Sequence, residues 1–109
     1  MEPRLTFDPI PAADAGTLPG LFLRRCEKTP DAEAYRQFDP ASARWERFTW
    51  RDMRARAARW RAALAREGLP PGERVAILAP NGVDWVCCDL AALSPDTACR
   101  HEVPMSWPT

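Results

Sequence analysis

The chain has 109 residues, 15 basic and 15 acidic, for a formal net charge of zero. At the usual ~100–200 residues per domain this is one small domain, able to bury ~65% of its unfolded surface in a modest core. Hydrophobic residues at 46% and charged ones at 28% exclude a disordered tract, and the zero net charge excludes a global pull toward nucleic acid or anionic membrane.

Residues 1–16 are rich in Pro and Ala with no hydrophobic period, and the expectation is an extended N-terminal arm. Met1 to Pro11 contains no apolar stretch of the kind that opens a secretory signal. No run approaches the ~18 apolar residues of a membrane span, so a cytoplasmic protein with no membrane span is expected.

Thr17 can cap a first helix from Leu18 to about Thr29, with Pro19 tolerated in its first turn. Leu18, Leu21, Phe22 and Cys26 are spaced to share one face of it. Ala34 to Asp39 then reads as a strand, Asp39-Pro40-Ala41-Ser42 as a turn and Arg44 to Phe48 as a returning strand, together a β-hairpin.

The next helix is the best-signalled element. Thr49 and Asp52 form an acidic version of the capping box, and Phe48 and Met53 occupy the two positions of a hydrophobic staple. Trp50, Met53, Ala57, Trp60 and Leu64 recur every three or four residues, a stripe that must face a core. Gly68 can cap the C-terminus, and Pro70-Pro71 forbid continuation. Arg51, Arg54, Arg56, Arg59, Arg61 and Arg66 outnumber Asp52 and Glu67 on this helix. They spread around the whole arc outside the stripe, and the aromatics belong to the stripe itself. A solvated face is expected, not a nucleic-acid site.

Val75 to Leu78 is a continuous apolar run that predicts a buried parallel strand. Pro80-Asn81-Gly82 is a turn, and Val83 to Leu93 is long enough for three helical turns. The turn sits where a phosphate loop would, but no two of the five glycines make a phosphate-binding spacing. Asn81 and Asp84 fit a local cap, and Asp84 would place negative charge where an anion should bind.

Metal and thiol chemistry are not supported either. Cys26, Cys87, Cys88 and Cys99 show no C-x-x-C spacing, and His101 is the only histidine. Cys99 and His101 lack an orienting third group, so no nucleophile pair is assigned. Cys87 and Cys88 read as small buried hydrophobes.

These pieces, in order, resemble a known family. "TLPGLFLRRCEKTPDAEAYRQF" followed by "FTWRDMRARAARWRAALAREGLPPGERVAILAPNGVDWVCCDLAAL" is similar to the N-terminus of the adenylate-forming enzymes. That superfamily holds the AMP-dependent synthetases and ligases, the acyl-CoA synthetases and the luciferases. The hairpin, with "WERFTW", most resembles the long-chain fatty acyl-CoA ligase branch. The resemblance covers residues 17–93 and implies an α/β fold. This would be an incomplete N-terminal part of the large domain, with helices, a β-hairpin and one strand-turn-helix unit.

In such enzymes the helix after the "PNG" turn leads into a second apolar parallel strand. Here "SPDTACRHEVPMSWPT" stands in that place, so residues 94–109 are expected to be a disordered tail foreign to the family. A helix frayed at Ala92-Leu93 is expected before it, because Pro95 disfavours helical geometry at Ser94.

The resemblance implies activation of a carboxylic acid, here a fatty acid, as an acyl-adenylate, with ATP, Mg²⁺ and CoA serving the full-length enzyme. The family's Pro-Lys-Gly phosphate loop, adenine-reading segment, ribose-holding Asp and catalytic Lys have no counterpart in these 109 residues. No catalytic, cofactor-binding or metal residue is therefore assigned, and the chain itself is expected to be inactive. Self-association through apolar surface left open by a missing sheet is a further expectation. The alternative from a different class is a small stand-alone α+β protein-interaction module.

Overall fold

The computed structural model describes residues 8–70 and 72–94. Four helices and a hairpin follow one another as α1 (Ala12–Ala15), α2 (Leu18–Lys28), β1 (Glu33–Asp39), β2 (Arg44–Thr49), α3 (Trp50–Arg66) and α4 (Val83–Leu93). The α/β character expected from the sequence is present, with a two-stranded antiparallel sheet.

Local chemistry sets most boundaries. Thr17 caps α2 by accepting a hydrogen bond from the Gly20 amide at 2.9 Å. The capping box of α3 is complete: the Asp52 amide donates to Thr49 Oγ1 at 3.1 Å, and the Thr49 amide donates to Asp52 Oδ2 at 2.9 Å. The first four amides of a helix lack intrahelical partners. In α3 the Trp50 and Arg51 amides donate instead to the carbonyls of Ala32 and Pro30, at 3.1 and 2.9 Å. The loop before the hairpin is thereby bound to the helix that follows it. At the other end Gly68 takes φ 64°, the left-handed geometry that a residue without Cβ accepts at least cost.

The hairpin register pairs Tyr35 with Phe48 and Phe38 with Trp45, with an irregularity between Glu33 and Tyr35. Asp39 organises the turn, accepting from the Ala41 amide at 3.1 Å and the Ser42 hydroxyl at 2.9 Å. One face of the ribbon packs inward through Tyr35 and Phe48. On the other, the Phe38 and Trp45 rings meet at 5.4 Å, tilted by 59°, and remain exposed.

The core gathers Phe22 and Cys26 of α2, Phe48 of β2, Met53 and Ala57 of α3, and Val83 and Cys87 of α4. Met53 and Cys87 are fully enclosed. Trp50 joins the layers, meeting Phe22 edge-on at 6.1 Å and Tyr35 at 5.9 Å. The staple residues Phe48 and Met53 are both buried, as their spacing predicts.

Four features differ from expectation. The arm is not wholly extended: residues 12–15 form one helical turn. On α2, Phe22 and Cys26 are buried, but Leu18 is 64% exposed and Leu21 40%, because among the described residues no element covers that end of the stripe. Val75 to Leu78 forms no ladder; among the described residues the hairpin is the only sheet. A parallel strand exists by pairing with neighbours, and with none beside it the run alternates, Val75 and Ile77 half-buried, Ala76 and Leu78 open to solvent. Finally, α4 does not fray. Ala92, Leu93 and Ser94 are buried, and the Ser94 hydroxyl and amide both bond the Leu90 carbonyl, at 2.7 and 3.0 Å. Ser94 does adopt the extended geometry that Pro95 demands, ψ 133°, yet its side chain closes the helix. The expected tail, from Pro95 onward, lies outside the described residues.

Candidate functional site

Catalytic chemistry would need converging polar groups, and the turn at residues 80–84 offers none. Neither Asn81 nor Asp84 caps α4. The cap residue is Gly82, and the Val83 amide donates across the fold to Gln37 Oε1 at 2.8 Å. Asp84 turns instead to Arg56 on α3, 3.3 Å away, and the Arg56 guanidinium lies 5.0 Å over the Phe48 ring. An anion approaching the start of α4 therefore meets a carboxylate and an amide already engaged.

The arginines of α3 behave as a solvated face. Arg51 pairs with Asp31 at 3.0 Å and Arg56 with Asp84, while Arg54, Arg59 and Arg66 point to solvent. They do not converge on one groove.

The thiols are equally quiet. Cys26, Cys87 and Cys88 are buried and free, and burial pushes all three above the ordinary thiol range. A neutral, enclosed thiol is a poor nucleophile and a poor ligand. Among the described residues no cluster of His, Cys, Asp or Glu could hold a metal ion. Cys99 and His101 lie outside them.

What the fold does build is an apolar groove of about 480 Å³ between α2, β1 and α4. Leu18, Leu21, Tyr35, Trp50, Trp85 and Leu93 are among its lining. Its charged members are Arg25 and Asp89. Arg25 is taken: its guanidinium reaches the Asp8 carboxylate at 3.4 Å and also bonds the Asp8 carbonyl. Burial pushes the Asp89 carboxyl above the ordinary carboxylate range. Burial likewise raises the Tyr35 hydroxyl. Such a groove can shelter apolar surface, but it cannot hold a triphosphate or polarise a carboxylate.

Sequence reasoning missed the groove. Its signal was the outer rim of α2, Leu18 and Leu21, assigned to a core that covers only Phe22 and Cys26.

Capped helices packed around a two-stranded hairpin make a small α/β unit. Comparison with known families gives its class: residues 22–99 match the AMP-binding enzyme family, and the chain belongs to it. Among curated proteins the chain is 35% identical over 102 residues to the long-chain-fatty-acid–AMP ligase FadD26 of Mycobacterium tuberculosis. The corresponding protein of Mycobacterium marinum is 32% identical over 102 residues. The phosphinothricin tripeptide synthetase PhsB of Streptomyces viridochromogenes is 34% identical over 94 residues, 85% of this chain and 8% of that protein. The match to the fatty-acid–AMP ligases takes in 91% of this chain but only 17% of their length. No solved structure matches.

Proposed function

We propose that the chain is the N-terminal part of an ATP-dependent fatty-acid-activating ligase and that these 109 residues alone are inactive. The observation that carries the reading is the family match over residues 22–99 combined with 17% coverage of the fatty-acid–AMP ligases. In the full-length reaction the fatty carboxylate attacks the α-phosphorus of ATP, forming the acyl-adenylate and releasing pyrophosphate. Mg²⁺ would neutralise the leaving phosphates, and passage of the acyl group to CoA is the further step proposed. The relatives' names speak for the AMP ester and not for the thioester.

The inactivity rests on the electrostatics of the site. Phosphoryl chemistry needs positive charge preorganised around the leaving oxygens. Here the arginines of α3 are dispersed or paired with Asp31 and Asp84, and Arg25 and Lys28 are engaged with Asp8. The family match runs on to residue 99, past the boundary expected at 93, so we place residues 17–99 in the partial adenylate-forming domain and only residues 100–109 in a tail of other origin. A cytoplasmic setting is supported by the three free buried thiols. No described helix is long and apolar enough to cross a membrane.

The test is carboxylate-dependent exchange of labelled pyrophosphate into ATP, with purified 1–109, Mg²⁺ and a panel of fatty acids. No exchange above a buffer blank is expected; exchange would overturn the inert-piece reading. Translating the DNA downstream of codon 93 in all three frames tests the boundary, since restored family sequence in another frame would identify a shifted tail. The open groove favours one second reading, a stand-alone interaction module, which a monodisperse, cooperatively melting chain would support.

A further inference from the structure

Asp89 is the odd member of the apolar groove. On α4 it follows Trp85 and precedes Leu93 by one helical turn each, and all three line the groove. The other acid of that helix, Asp84, is paired with Arg56 at 3.3 Å although its side chain is 67% exposed. Asp89 is half-buried and makes no ion pair or hydrogen bond among the described residues. Burial pushes its carboxyl up, and no cation stands close enough to draw it back. Arg25, the groove's other charged member, is held by Asp8 through both its carboxylate and its main-chain carbonyl. The groove is thus an open apolar surface, with Leu18 and Leu21 exposed, that carries one unmatched negative charge.

We propose that the groove seats an amphipathic segment from the remainder of the full-length ligase, and that this segment brings a lysine or arginine to Asp89. The proposal rests on the reading of the chain as part of a longer enzyme: its match takes in only 17% of the length of the fatty-acid–AMP ligases, so most of the polypeptide available to cover the groove lies outside it. Charge complementarity selects the chemistry of that segment. A wholly apolar face would seal the Asp89 carboxylate from water with nothing to pair it, which is costly. A fatty carboxylate would set like charge against it. A second copy docked groove to groove would oppose Asp89 with itself. A basic side chain within about 4 Å instead turns the buried charge into an attraction, while its apolar neighbours cover Leu18, Leu21 and Trp85. Asp89 then acts as a selector: unfavourable in this piece alone, it admits the basic segment and rejects acidic or purely apolar ones.

The experiment titrates the full 109-residue chain into three dye-labelled amphipathic helical peptides and reads fluorescence anisotropy. The peptides are identical except in the middle of their leucine face, which carries lysine, norleucine or glutamate. The lysine peptide should bind about tenfold or more tighter than the glutamate peptide, with norleucine between them. In Asp89→Asn that lysine-to-glutamate ratio should shrink by about tenfold, and the norleucine peptide should bind at least as well as before. Leu18→Ala and Leu21→Ala, both at exposed positions, should weaken all three peptides to a similar extent. Asp89→Asn removes an unpaired charge and should melt no lower than the parent. An unchanged ratio in Asp89→Asn, or no saturable binding of any peptide, would overturn the proposal. So would a lower melt for Asp89→Asn, which would show that Asp89 already has its partner within this chain. Pyrophosphate exchange by the chain would overturn the inert-piece reading and leave the preference at Asp89 as it is, so the two fail separately.

Discussion

Gln37 in the hairpin and Val83 at the head of α4 are 46 residues apart and joined by one bond: Gln37 Oε1 accepts the Val83 amide at 2.8 Å. The cap residue of α4 is Gly82, which has no side chain to offer, so the strand supplies the acceptor that the helix cannot. The two positions also crowd one another. A methyl group on Gly82 would stand 2.6 Å from the same Gln37 oxygen.

Gln37→Ala should therefore cost about 1 kcal/mol, the usual loss on removing a helix cap. Gln37→Glu should cost less, since it keeps an acceptor and adds negative charge at a helix N-terminus. Gly82→Ala should displace Gln37 and destabilise in the parent chain but far less in Gln37→Ala. A double-mutant cycle in urea reads that coupling, and strict additivity would show that the two residues do not share one contact.

Met53→Ala removes a side chain with no exposure at the crossing of α2, α3 and α4. A loss of about 2–5 kcal/mol is expected, a large share of the ~5–15 kcal/mol of an ordinary domain. Trp45→Ala, on the solvent face of the hairpin with Trp45 65% exposed, should cost no more than ~1 kcal/mol. Similar costs for the two variants would mean that the core is not where Met53 sits.

Acid should act in two opposed directions. The Thr49 backbone and side-chain hydrogen bonds hold the Asp52 carboxyl below its ordinary 3.8, and the Lys28 hydrogen bond does the same for Asp8. Depressed carboxyls contribute stability above 3.8 and lose it as pH falls through their folded values. Burial raises Asp89, so its contribution runs the other way, falling as pH rises from 3.8 through the raised value. Asp52→Asn should flatten the acid limb of a stability–pH curve. Asp89→Asn should stabilise the chain at neutral pH, and a destabilised Asp89→Asn would contradict the burial argument.

Truncation should be sharp to within one residue. A chain ending at Ser94 keeps the two bonds to the Leu90 carbonyl and should melt like the parent. One ending at Leu93 loses both and should melt lower. Identical melting curves for the two would show that the serine does not close the helix.

The parts of this fold that were legible in the sequence are those decided within a few residues. Thr49, Asp52, Phe48 and Met53 announce a helix start, and Gly68 its end, because capping and stapling depend on spacing alone. Contacts that bridge distant segments were not legible. Nothing in the sequence around Gln37 says that it caps a helix 46 residues on, and nothing at Asp8 foretells Lys28. Val75 to Leu78 carries the hydrophobicity of a buried strand, but a ladder is a property of the neighbours as much as of the run itself.

Three enclosed cysteines among the described residues give this protein an internal probe of its own opening. Only a thiolate alkylates quickly, and Cys26 and Cys87 are held as neutral thiols on α2 and α4. Modification by a small maleimide therefore has to wait for a helix to move away from the core. If α2 and α4 detach together, the two positions will label at one rate; if α4 peels off first, Cys87 will label ahead of Cys26, and mass spectrometry of the labelled peptides will give the order.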